Sequence, residues 1–200
     1  MDRASRRRAA ELLRRRAVLG VFTLRMALEA GFSRGAVRHR RVTGAWSHVV
    51  GTAFVDMEAP ALDDVRRRAV GASLCWPSSV VCLRTAALLH GMPVGDDGAT
   101  HVIVTGGRRP TLGLTPHFFD VPGGHVRRML SFRVTSPRRT AIDCLAHFSF
   151  GEAERLMAWV RTRDILTLDD LSAAVDERAG QPGVTQLRRL LTLTAGGGLS

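Results

Sequence analysis

Lysine and tyrosine are absent from this sequence, and only 3 of its 200 residues are cysteine. All 29 basic residues are therefore arginine, which points to GC-rich coding and removes the lysine that metal-dependent nuclease motifs ordinarily carry. Cys75, Cys82 and Cys144 are odd in number, widely spaced and outside any CxxC or Cys/His ligand spacing. They read as small core residues of a protein in a reducing compartment. The 7 histidines form no HxxxH pair and no cluster with carboxylates, so neither a metal nor any other cofactor is expected. No GxSxG elbow, Gly-rich phosphate loop or GSxxxxxDxD-like transferase pattern occurs, and no enzyme chemistry is expected.

Long apolar runs are missing as well. Ala17 to Leu24 is interrupted by Arg25 and is too short for a signal core or a membrane span. The Ser5-Arg6-Arg7-Arg8 start invites comparison with a twin-arginine signal, but Glu11 and Arg14 to Arg16 occupy the place where the apolar stretch should begin. The expectation is a cytoplasmic protein with no membrane partner.

What the chain has is a 45% apolar composition, ample for a packed core, and an uneven distribution of charge. Residues 1 to 50 hold 12 arginines against 3 acidic residues, whereas residues 51 to 100 hold 4 against 6. Such a cationic segment can neutralise phosphates and release counterions, or it can be a solvated basic face.

The same segment has a legible order of elements. Ala9, Leu12, Leu13 and Leu19 recur at helical spacing among arginines, predicting an amphipathic helix over residues 5 to 19. Thr23 is placed to cap a short helix from Leu24 to Ala30, which Gly31 stops; Phe32 fills the turn. Ser33 then caps a third helix, from Arg34 to about Val42, closed by Gly44. On it Ala36, Val37 and Arg40 share the inner side, while Arg34, Arg38 and Arg41 lie within about 60° of one another on another side. Two β-prone runs follow about Gly51, Trp46 to Val50 and Thr52 to Val55, the pattern of a hairpin. Three helices and then a hairpin are the order of a winged helix-turn-helix.

Residues 56 to 72, with Asp56, Glu58, Asp63, Asp64 and Pro60, reverse the charge and read as a junction followed by a short helix, and a boundary is expected near Pro60. Short strands are expected at Ser79 to Leu83, Thr100 to Thr105, Thr115 to Asp120 and Leu130 to Thr135. Helices are expected at Arg84 to His90, Pro137 to Phe148, Glu152 to Thr162, Leu168 to Arg178 and Gly183 to Thr194. The fold class is therefore α+β: a winged helix-turn-helix at 1–58, a mixed α/β domain with a small sheet and a helical C-terminal part at 59–195, and a Gly-rich tail at 196–200.

Four stretches resemble the actinobacterial members of the AbiEi-type antitoxin family. They are Gly31-Phe-Ser33 with Val37, Gly44-Ala-Trp46 and Gly51; Arg84-Thr-Ala-Ala-Leu-Leu-His-Gly91; Val102-Ile-Val with His117; and Val134-Thr-Ser-Pro-Arg-Arg-Thr-Ala-Ile-Asp143. The last is the most specific, being similar to the family's "vTsPxRTxxDla". The resemblance implies a winged-helix DNA reader that represses its own operon and opposes a nucleotidyltransferase-like toxin of a type IV toxin-antitoxin pair. Two departures stand out: Thr52-Ala-Phe-Val replaces a wing that usually carries Tyr, and longer relatives continue into a domain resembling very-short-patch-repair endonucleases.

The DNA-binding candidates are Ser33, Arg34, Arg38, His39, Arg41 and His48, with Arg14 and Arg15 as phosphate contacts; the duplex partner would be the protein's own promoter or operator. Trp46 reads as wing packing rather than a base contact, and Arg40 as a docking residue. Ser136, Arg138 and Arg139 are candidates for a partner or anion site at a helix start, against a structural reading in which Ser136 caps and Arg139 pairs with Asp143. His90 reads as a helix-end residue. Two other functions compete with the DNA reader: the non-catalytic part of an endonuclease-family protein, and a module that neutralises a toxin by contact.

Overall fold

The computed structural model describes residues 3–196, so all of the Gly-rich tail expected at 196–200 except Gly196, the C-cap of the last helix, lies outside the described residues. The chain is α+β, with small sheets and a helical C-terminal part, and it folds into two units. Unit 1 comprises Met1–Val80, Gly98–Phe119 and Arg128–Arg133; unit 2 comprises the remainder.

Unit 1 begins with α1 (Arg3–Arg16), β1 (Val21–Thr23), α2 (Leu24–Glu29), α3 (Arg34–Val42), β2 (Trp46–His48) and β3 (Ala53–Asp56). The predicted caps are formed: the Thr23 hydroxyl accepts from the Met26 amide at 3.3 Å and Ser33 Oγ from the Ala36 amide at 3.1 Å. Each such cap contributes about 1 kcal/mol to a helix too short to persist alone. Strand β1, three residues long, was hidden inside the apolar run after the first helix. It pairs antiparallel with β3, Phe22 opposite Phe54, and β3 pairs antiparallel with β2, His48 opposite Phe54, giving the order β1-β3-β2. Leu13, Phe22, Phe32, Val37, Trp46 and Phe54 form the core beneath the helices, with Trp46 packed edge-on against Phe22 at 4.6 Å.

The β2–β3 turn is fixed by a glycine. Gly51 has φ +54, its amide donates to the Leu112 carbonyl at 2.8 Å, and a Cβ there would lie 2.9 Å from a Leu114 methyl. Helix α4 (Asp64–Cys75) carries unit 1 past Pro60, the boundary expected from composition. The buried Arg68 of α4 approaches Asp64 at 3.0 Å and donates to the Ala99 carbonyl at 3.1 Å.

After β4 (Val80–Val81) and α5 (Leu83–Leu89), the chain returns to unit 1 for β5 (Thr100–Ile103) and β6 (Leu114–His117), a parallel pair with Val102 opposite Pro116. A 3-10 turn (Gly123–His125) leads to β7 (Val126–Met129), which the sequence reading left unassigned, and β8 (Phe132–Thr135).

Unit 2 is mainly helical. Val81 pairs in parallel with Val134, and α6 (Pro137–His147), α7 (Phe150–Thr162), α8 (Leu168–Glu177) and α9 (Val184–Ala195) follow within two residues of their predicted starts. Leu145, Leu156, Met157, Leu171, Leu187 and Leu190 are buried in its core.

Candidate nucleic-acid interface

Helix α3 divides its side chains by face. Val37 is 4% exposed, and the half-buried Arg40 places its guanidinium carbon 5.2 Å from the Phe32 ring centre and 5.1 Å from that of Trp46. Its stem thus covers aromatic surface, as expected of a docking residue. Arg34 and Arg38 are exposed and make no hydrogen bond or ion pair among the described residues. Arg41, also exposed, lies 5.3 Å above Phe54, leaning toward the β2–β3 hairpin.

An open groove of about 540 Å³ runs along this side, lined by Arg38, Arg41, Val42, Ser47, His48 and Met57. On the other side of α3, Arg6, Ser33, Ala36, His39, Arg40 and Thr43 line a second, about 840 Å³ in volume. The arginine face is therefore flanked by concave surface on both sides.

The remaining candidates are distributed unevenly. Ser33 Oγ is engaged in capping α3, whereas the His39 ring is exposed. His48 is exposed on β2, and its Nε2 lies 3.0 Å from the Gly51 carbonyl oxygen. A carbonyl only accepts, so in this contact Nε2 is the donor. Arg14 lies 3.5 Å from Glu58, and Arg15 lies 2.6 Å from Glu11. Both pairs are exposed and worth at most about 1 kcal/mol, so exchanging their carboxylates for phosphates costs little. Residues that the sequence reading passed over are Val42 and Met57, large apolar side chains left 79% and 56% exposed in the first groove. Helical spacing from Arg38 is the signal that would have found Val42.

In unit 2 the helix start at Ser136 is differently arranged. Ser136 Oγ accepts from the Arg139 amide at 3.3 Å, and Arg138 is paired with Asp170 at 2.6 Å. Arg139 Nε lies 2.9 Å from both Asp143 oxygens, and its Nη2 donates to the Asp120 carbonyl at 2.9 Å. Arg178 pairs with the same carboxylate. Asp143 is fully buried, so the Arg139 pair, expected to be weak if exposed, belongs to a desolvated cluster of one acid and two arginines. The three residues share one helix start, with both guanidinium groups directed at protein acceptors.

Burial lowers the His90 pKa from its ordinary value, opposed by the hydrogen bond that Nε2 makes with the Thr135 carbonyl at 2.8 Å. His90 is the C-cap residue of α5. Among the described residues no three His, Cys, Asp or Glu side chains form a metal-binding group, and no helix is long and apolar enough to cross a membrane.

No family model matches the chain. Over 130 residues it is 31% identical to proteins of Mycobacterium tuberculosis strains CDC 1551 and H37Rv, each described as an uncharacterized protein. The match covers 59% of this chain and 43% of each relative, so the chain spans less than half of their length. Among solved structures, the crystal structure of the RV2827C protein from Mycobacterium tuberculosis aligns with a TM-score of 0.47 at 15% identity, covering 96% of this chain and 82% of that one.

Proposed function

We propose that the protein is a DNA-binding transcriptional regulator whose first six elements work as a winged helix-turn-helix. The observation that carries this reading is the α3 surface: Arg34 and Arg38 stand exposed without protein partners, on a helix docked through Val37 and Arg40 and flanked by a hairpin. In this reading α3 enters the major groove and its guanidinium groups address guanine O6 and N7, while Arg14, Arg15 and Arg6 hold phosphates. The β2–β3 hairpin is the wing.

The test is titration of DNA from upstream of the protein's own gene against a scrambled duplex over a range of salt. Specific binding with a steep salt slope is expected, and Arg38→Ala should cost about 1 to 3 kcal/mol of discrimination. Equal affinity of the wild-type protein for both duplexes would reject the reading.

The resemblance of Val134 to Asp143 to AbiEi-type antitoxins supports a narrower version, autorepression coupled to neutralising a nucleotidyltransferase-like toxin. Co-expression with the adjacent gene product tests it: rescue of growth is expected, and continued toxicity would leave only the DNA-binding role.

A further inference from the structure

Two residues on the outer side of α3 have no explanation inside the fold. Taking the direction of Val37 and Arg40 as inward, 100° per residue places Val42 nearly opposite, with Arg38 and Gly35 to either side of it. Val42 is 79% exposed, more than any other large apolar side chain among the described residues. Gly35 lies within a nine-residue helix, where glycine lowers stability. Nothing in the fold requires it: its φ is ordinary, and a Cβ built there would meet only Ser33 Oγ, at 3.9 Å. The outermost strip of the helix is thus a bare backbone position and an isopropyl group beside an unpaired guanidinium.

We infer that this strip is the surface of closest approach to base edges, with Val42 packing on the 5-methyl group of a pyrimidine next to the base that Arg38 addresses, and Gly35 giving the clearance for it. The inference rests on the DNA-binding reading and deepens it. Among major-groove features the pyrimidine 5-methyl is the apolar one, so an aliphatic side chain that reaches the groove floor recognises it and little else. Thymine and 5-methylcytosine both carry that group. Met57, in the same groove and 56% exposed, widens the apolar surface beside Val42.

The experiment uses the full chain and a duplex to which it binds specifically, with each thymine replaced in turn by uracil, and each cytosine in turn by 5-methylcytosine. One position is expected to respond to the methyl by about fourfold in affinity, the effect of burying one such group. Response at a thymine or at a cytosine decides which base is read. Val42→Ala should abolish that methyl response while leaving the salt slope unchanged. Gly35→Leu should raise the melting temperature yet weaken specific binding by about tenfold or more, opposite signs that a purely structural glycine would not give. Methyl sensitivity that persists in Val42→Ala, or no methyl sensitivity in a protein that still discriminates sequences, overturns the inference and spares the DNA-binding reading. Absence of any sequence-specific complex overturns both.

Discussion

The Arg40 guanidinium carbon lies 5.1 Å from the centre of the Trp46 ring, joining the arginine helix to the first strand of the hairpin through a cation–π contact. Phe32 presents a second ring at 5.2 Å, so the cation sits against two aromatic surfaces. Arg40→Ala is expected to lower unfolding free energy by about 1 to 2 kcal/mol, through lost stem packing as much as lost charge. Exposed Arg38→Ala should stay within about 0.5 kcal/mol of wild type. Urea titration of both variants separates docking from reading.

Asp143 joins Arg139 and Arg178 in unit 2, and its side chain is 1% exposed. Removing the carboxylate leaves two largely buried guanidinium groups facing one another, so Asp143→Ala should destabilise by about 3 to 5 kcal/mol. Replacing Arg138, whose side chain is half exposed beside Asp170, should cost less than about 1 kcal/mol. Thermal melts of the two variants would show the contrast, and equal losses would contradict the burial of the cluster.

His90 gives a pH dependence with a definite sign. Its folded-state pKa is lowered, chiefly by burial, from an ordinary value of 6.5. The unfolded chain therefore takes up the proton first as pH falls. The stability that the neutral imidazole contributes is complete above the unfolded value and is lost as pH drops from about 6.5 through the lowered folded value. Melting temperatures measured from pH 7.5 to 5.5 should decline, and His90→Gln should flatten that decline.

The three thiols should differ in access. Cys82 and Cys144 are fully buried, and burial also raises the Cys144 pKa, whereas Cys75 is only partly covered. An aromatic disulfide reagent should titrate at most one thiol in the native protein, Cys75, and three after denaturation. Rapid native reaction of two thiols would contradict the packing around Cys82 and Cys144.

Local chemistry was legible where one residue decides an outcome. Thr23, Ser33 and Ser136 each cap the helix expected of them, Gly51 makes the hairpin turn, and α3 begins and ends where its pattern predicted. Short strands without their own turn signal were not: β1 is three residues inside an apolar run, and β7 has two consecutive exposed arginines between half-buried Val126 and Met129, which breaks strand alternation. The partner of β1 is distant in sequence, Phe22 lying opposite Phe54, and periodicity carries no information about distant partners; β7 neighbours the adjacent β8 across Leu130 and Ser131, where Leu130 takes φ +51 without the usual Gly or Asn signal. At the candidate site, the cationic face of α3 followed from helical geometry. The stacking of Arg40, the internal partners of Arg138 and Arg139, and the Nε2 proton of His48 depend on neighbours brought in by folding.

Unit 1 is assembled from three stretches of chain, and this governs when it can form during synthesis. The Gly51 amide waits for the Leu112 carbonyl, Arg68 waits for Ala99, and the Ser78 carbonyl waits for Arg133. The core beneath the arginine-rich helices draws on residues no later than Phe54, whereas the rest of the unit closes only after residue 133 has cleared the ribosome.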